Sequence, residues 1–213
     1  MRYLYYTLLF SLLITTLYSS GGYDHGSSTG KGMVQLDFTW NPFNYFEYGQ
    51  NYFVFGYGIT EKFDIHGYYS EHRNYEDGVN SFYYGLFYQF LDTKYLDLST
   101  AIGKRRMMNL SYSHYFFPQL LFNIKLNNNF SIGGSFVNVK KESNPIIFRS
   151  KDERITFDIA LFLPITKYLI NLINVEDVKL GLGIFIPGFS TNTINKKDIY
   201  PTYSLDMKFN LFD

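Results

Sequence analysis

The sequence has no cysteine, which removes disulfides, thiolate nucleophiles and cysteine-ligated metals together. A chain without thiols suits export, since oxidation cannot trap it, although many cytosolic chains lack cysteine too. It has no charge excess either: 19 Lys plus Arg face 19 Asp plus Glu, so no net field draws it to nucleic acid. Its 4 histidines are scattered and show no metal-ligand spacing, and no cofactor is implied. Gly56-Tyr57-Gly58 and Gly181-Leu182-Gly183 lack the remainder of a phosphate-binding loop. Proline is held to 6 positions, all at the ends of periodic segments or between them. Nothing divides the 213 residues into two domains.

What the chain has in excess is aromatic rings: 21 Tyr and 22 Phe, but a single Trp. One soluble core of this size could not bury them all. Yet the mean hydropathy is −0.14, so polar residues must alternate with the apolar ones at short range. Strands with one face toward lipid and one toward a polar lumen produce that average.

The N-terminus reads as an address. Arg2 precedes an uncharged, Leu-rich run to Tyr18, then Ser19-Ser20-Gly21-Gly22, the order of a secretory signal. Tyr18 and Leu17 are poor cleavage-site residues, and an uncleaved membrane helix is the alternative. The expected division is therefore a signal peptide over 1–20, a flexible Gly/Ser-rich leader over 21–32, and a barrel over 33–213. From Met33 onward the period is two. Val34, Leu36, Phe38 and Trp40 alternate with Gln35, Asp37 and Thr39, and the last segment sets Tyr203, Leu205, Met207 and Phe209 against Ser204, Asp206 and Lys208. About ten such segments follow one another, with eight to twelve as bounds. Short turns such as Thr60-Glu61-Lys62, Asp92-Thr93-Lys94 and Asn127-Asn128-Asn129 alternate with longer loops. The fold class expected is all-β, a transmembrane antiparallel up-and-down barrel. The stretch 165–175 departs from it: Ile165, Leu169, Leu172 and Val175 fall at helical spacing.

The hairpin Tyr57-Gly58-Ile59-Thr60-Glu61-Lys62-Phe63-Asp64-Ile65 resembles the inner hairpins of Gram-negative outer-membrane proteins, and Tyr88 to Leu98 looks like a second copy. Phe209-Asn210-Leu211-Phe212 is similar to the terminal aromatic signal by which such barrels are recognised for assembly, although Asp213 stands last. The resemblance is to the class and to no particular family. It implies a bacterial outer-membrane location, contact with membrane lipid and with the barrel-assembly machinery, and leaves function and oligomeric state open.

Alternation directs a set of charges into the lumen: Asp37, Asp64, Asp97, Lys125, Asp158, Lys179, Asp206 and Lys208, with His66 among them. Mixed signs suit a paired polar interior better than a selector of one ion sign. Asp97 with Lys125, and Lys179 with Asp206, are the pairs expected. The loops suggest a basic outer rim of Lys104, Arg105, Arg106, Lys140, Lys141, Arg149, Lys151 and Arg154. Such a rim either binds lipopolysaccharide phosphates or is simply solvated. Ser70, Glu71 and His72 are the nearest approach to a catalytic set, but on a strand Glu71 must point away from the other two. Three functions remain open: a non-enzymatic barrel, either a narrow passive pore or a structural and surface-binding protein; an outer-membrane hydrolase acting on lipid or peptide at the rim; and a soluble exported barrel holding an apolar ligand.

Overall fold

The computed structural model describes residues 25–43, 48–72, 79–108, 113–127, 130–142, 153–166, 175–186 and 199–210. Ten strands follow in order: β1 (Met33–Phe43), β2 (Tyr48–Gly58), β3 (Phe63–His72), β4 (Val79–Asp92), β5 (Leu96–Met107), β6 (Ser113–Asn127), β7 (Phe130–Glu142), β8 (Glu153–Pro164), β9 (Asp177–Ile186) and β10 (Tyr200–Asn210). Each pairs antiparallel with its neighbours in sequence, and β1 pairs with β10 to close the barrel. This is the up-and-down topology expected from period two joined by short turns. The closing ladder runs from Met33 opposite Asn210 to Trp40 opposite Tyr203.

The short connections after β2, β4 and β6 lie at one end, together with both ends of β1–β10 nearest the termini; the connections after β3, β5, β7 and β9 lie at the other. Several strands outrun the alternation read from sequence. β6 has 15 residues and β4 has 14. Lys104, Arg105 and Arg106 therefore belong to β5 and not to a loop. The stretch expected as a signal peptide, the loop beyond His72, Arg149, Lys151 and the terminal Phe212 lie outside the described residues.

Facing follows the alternation. Outward residues of β4, Phe82, Tyr84, Leu86, Tyr88 and Phe90, are between 46 and 62% exposed, whereas Ser81, Tyr83, Phe87 and Gln89 are buried. The same contrast separates Ile65 and Tyr69 from Asp64, His66, Tyr68 and Ser70 on β3. Outward rings meet across strands, Phe38 on Phe53 at 4.8 Å, Tyr69 on Phe82 at 5.2 Å and Phe136 on Phe157 at 4.7 Å. On the wall of β9 and β10 the belt is partly covered. Val178 is buried with Val175, and Ile165, Leu205, Met207 and Phe209 pack on them. The two ends of the stretch with helical spacing thus rest on the outside of the barrel, and Ile165 and Val175 do not plug it. Residues 167–174 lie outside the described residues.

Candidate functional site

The lumen is the place where functional side chains converge, and it is filled. Its first occupant is the chain itself. Residues 25–32, expected as a flexible leader, enter the barrel at the short-turn end and cross it. Gly30 and Gly32 have φ of 94° and 76°, the left-handed region open to glycine, and turn the segment into β1. Gly32 N donates to Gly58 O at 2.9 Å, and Gly30 lies so close to Gly58 that a side chain at 58 has no room. The composition that reads as flexibility in sequence is what this close passage requires.

Residues 25 to 29 of the strap are each held. Thr29 N donates to Asp64 at 2.7 Å, and Ser28 N to Gln89 at 2.9 Å, while Ser28 Oγ donates to Glu61 O at 2.6 Å. Ser27 Oγ donates to Asp97 at 2.6 Å and accepts from Asn123 at 2.9 Å. Gly26 O accepts from Ser99 Oγ. His25 sits edge-on to Phe162 at 5.6 Å, with its Nε2 3.2 Å from Asp206 and 2.7 Å from Gln35. Gln35 Nε2 also donates to Asp206 at 2.8 Å, and Lys208 Nζ donates to Ser28 O at 2.9 Å. Polar groups facing one another inside a wall need such partners, because an unmade bond costs more than a made one gains.

Beyond the strap the lumen is packed by rings. Tyr68 stacks on Tyr83 at 4.8 Å with planes 10° apart, Tyr83 on Phe116 at 5.3 Å, and Tyr52 meets Tyr68 edge-on at 4.9 Å. Val54, Val137 and Val139 complete this layer, and Phe87, Ala101 and Leu121 form a second. His66 Nε2 is 2.8 Å from the Tyr83 hydroxyl, which also accepts from Gln119 at 3.1 Å. Toward the loop end polar pairs return: Ser70 with Ser81 at 2.5 Å, Thr202 with Asn41 at 2.8 Å, and Arg105 with His114 at 3.3 Å, the guanidinium lying 5.1 Å from the Phe116 ring centre.

The charges expected in the lumen are placed as follows. Asp37, Asp64, His66, Asp97, Asp158 and Asp206 are buried. Asp37 faces Asp206 across the closing ladder and accepts from Thr39; Asp158 accepts from Ser135 at 2.8 Å. Lys125 Nζ is 2.7 Å from Asp97 and 3.2 Å from Asp92 at the short-turn mouth. Lys179 stands opposite Asp206 in register, but its Nζ is 3.1 Å from Asp177. The carboxylate of Asp206 is engaged instead by His25 and Gln35, a role no strand alternation could have revealed because His25 precedes the strands.

The basic rim is divided by the wall. Within β5, Lys104 and Arg106 point outward and Arg105 points in, where it is 7% exposed. Arg105 is thus a lumen residue and not part of the rim. Lys140 lies on β7; the side chains of Lys141 and Arg154 are outside the described residues, as are Arg149 and Lys151. The hydrolytic set does not assemble from what is described. Ser70 faces the lumen beside Ser81, while Glu71 accepts from Asn51 at 2.8 Å. No group of three His, Asp or Glu side chains able to hold a metal occurs among the described residues.

No protein-family model matches the sequence, and comparison with curated proteins gives no match. Among solved structures the chain is similar to the KdgM porin in complex with disordered oligogalacturonate, at 8% identity and a TM-score of 0.49, covering 83% of this chain and 96% of that one. It is similar to the KdgM porin at 7% identity and 0.45, over 83% and 98%. The N-terminal β-barrel domain of Pseudomonas aeruginosa OprF gives 11% identity and 0.34, over 84% and 99%.

Proposed function

We propose that the chain is a non-enzymatic outer-membrane barrel with a closed lumen, a structural and surface-binding wall protein and not an open channel. One observation carries the reading: an exposed apolar belt surrounds an interior filled by polar pairs, tyrosine rings and the chain's own strap. A soluble barrel holding an apolar ligand would face its rings inward and its polar residues outward. Outward Phe, Tyr, Leu and Ile along β4 oppose that arrangement. On this reading the short-turn end faces the periplasm and the loop end faces outside. The N-terminal run, with its secretory pattern, agrees with export.

The lumen argues against conduction in two places. The strap occupies its periplasmic half, and the Tyr52, Tyr68, Tyr83 and Phe116 layer closes its middle. Refolded protein in planar bilayers is expected to show no unitary conductance steps. Deleting residues 25–32 alone should leave it silent, because the ring layer remains. Stable steps from the intact chain would overturn the closed lumen. Recovery of the mature protein from the soluble periplasm, with no compact unheated form in detergent, would overturn the membrane reading itself.

A further inference from the structure

The outer face of the wall carries a groove that belongs to none of the features above. On this face β3 presents Ile65, Gly67 and Tyr69. Gly67 stands between Phe55 and Tyr84 in the ladder, so one side chain is missing from the belt. The result is a hollow of about 710 Å³ along β2–β6, walled by Phe55, Ile65, Leu86 and Ile102. That is within the range of ordinary ligand sites, which run to roughly 300–1,000 Å³. The gap cannot be closed by drift toward a larger residue, since a Cβ at 67 would lie 2.8 Å from the Tyr83 carbonyl oxygen.

The upper edge of the same groove is cationic. Tyr84, Lys104, Tyr115 and Lys140 are successive partners across β4, β5, β6 and β7, and all face outward; the row continues to Glu153 on β8, and Glu142 stands one row nearer the loops, so the excess of positive charge is carried by β5. Arg106 stands one outward position farther along β5, opposite Phe82 and Ser113. Lys104 Nζ lies 3.1 Å from the Tyr115 hydroxyl and 4.8 Å from its ring centre, so the ammonium is drawn over the groove's rim. Outward neighbours on one strand are about 7 Å apart and adjacent strands about 5 Å, so the three cations span the width of one or two phosphate groups. Arg and Lys at the level of an aromatic girdle meet lipid headgroups, and the bonds to phosphate are charge-assisted.

We propose that this surface is a binding site for a phosphorylated glycolipid of the outer leaflet, of the lipid A type. Lys104, Arg106 and Lys140 hold its phosphate, and one acyl chain lies in the slot at Gly67. The charge complementarity selects a phosphate, and the position at the loop end of the wall selects the outer leaflet. The site rests on the membrane reading and adds a ligand to it.

Native mass spectrometry of the full chain, refolded in detergent, tests the site with three probes. These are hexa-acylated diphosphoryl lipid A, the same lipid stripped of phosphate, and phosphatidylglycerol. The intact chain is expected to retain the diphosphoryl lipid about tenfold or more better than either of the others, the scale of one or more charge-assisted bonds. K104Q/R106Q/K140Q should erase that preference, Ile102→Trp, which fills the slot from its wall, should weaken retention of both lipid A forms, and K62Q/K94Q at the opposite mouth should leave retention as it was. Equal retention of phosphorylated and phosphate-free lipid overturns the site, as does a triple variant that binds like the parent. Preference for phosphatidylglycerol overturns the glycolipid. Should the triple variant not fold, the comparison of the three lipids on the intact chain still decides. Compact migration of the unheated parent in the same samples reports the barrel, so failure of the site and failure of the membrane reading are told apart.

Discussion

At the scale of single residues, two contacts set the terms of the interior. Lys125 serves Asp97, Asp92 and the Thr93 carbonyl together, with Asp97 almost wholly buried and Lys125 34% exposed. A pair of that kind lies between a solvated one and a buried one, so Lys125→Met should destabilise by about 1–2 kcal/mol. Urea unfolding in lipid vesicles measures it. In a cycle with Asp97→Asn the losses should fall short of additive; simple addition would show that the two side chains do not interact. Gly103 poses the opposite problem. The space a Cβ would take is filled by the Tyr83 ring, which is pinned by Tyr68, Phe116 and His66. Gly103→Ala is therefore expected to cost about 1–3 kcal/mol by overpacking, and an unchanged unfolding midpoint would show that the ring layer is loose. The charges inside were legible because alternation assigns a face to each. Their partners were legible only in part: the expected Asp97–Lys125 pair forms, whereas Lys179 stands opposite Asp206 yet bonds Asp177.

At the scale of elements, strand number, order and facing followed from period two, and the physical reason is that a one-residue slip would turn every apolar side chain inward. The ends of the elements did not follow. Lys104-Arg105-Arg106 reads as a loop because three charges in a row break the apolar face, whereas in β5 the two outer cations stand at the upper edge of the belt and the middle one stacks on Phe116. The strap was illegible for a different reason. Gly and Ser carry no periodicity, and the bonds of Gly26, Ser27 and Ser28 go to residues that follow them by 33 to 180 positions. Its placement is open to test because the sequence has no thiol of its own. Thr29→Cys should react with a charged maleimide about tenfold or more slowly than Lys62→Cys in the folded protein, as expected for a protected site, and equally fast in urea. Equal rates in the folded state would place the strap outside the lumen.

At the scale of the whole molecule, closure joins the two ends of the chain, and the strap spans the joint: His25 touches Gln35 on β1 and Asp206 on β10. Followed backward from Gly30, its residues meet the strands in the order in which the strands are made. Gly30 lies on β2, Thr29 on β3, Ser28 on β4, Ser27 and Gly26 on β5 and β6, and His25 on β8 and β10. Lys208, reaching back to Ser28, is out of this order and can act only once β10 is in place. A growing sheet can thus recruit the strap one residue per strand, enlarging the enclosed loop in small steps. Loop-closure entropy rises only with the logarithm of length, so each increment is cheap once the one before it is fastened. In a wall built in that order the strap is a spindle, and the contacts of Asp206 with His25 and of Lys208 with Ser28 wait together for the final strand.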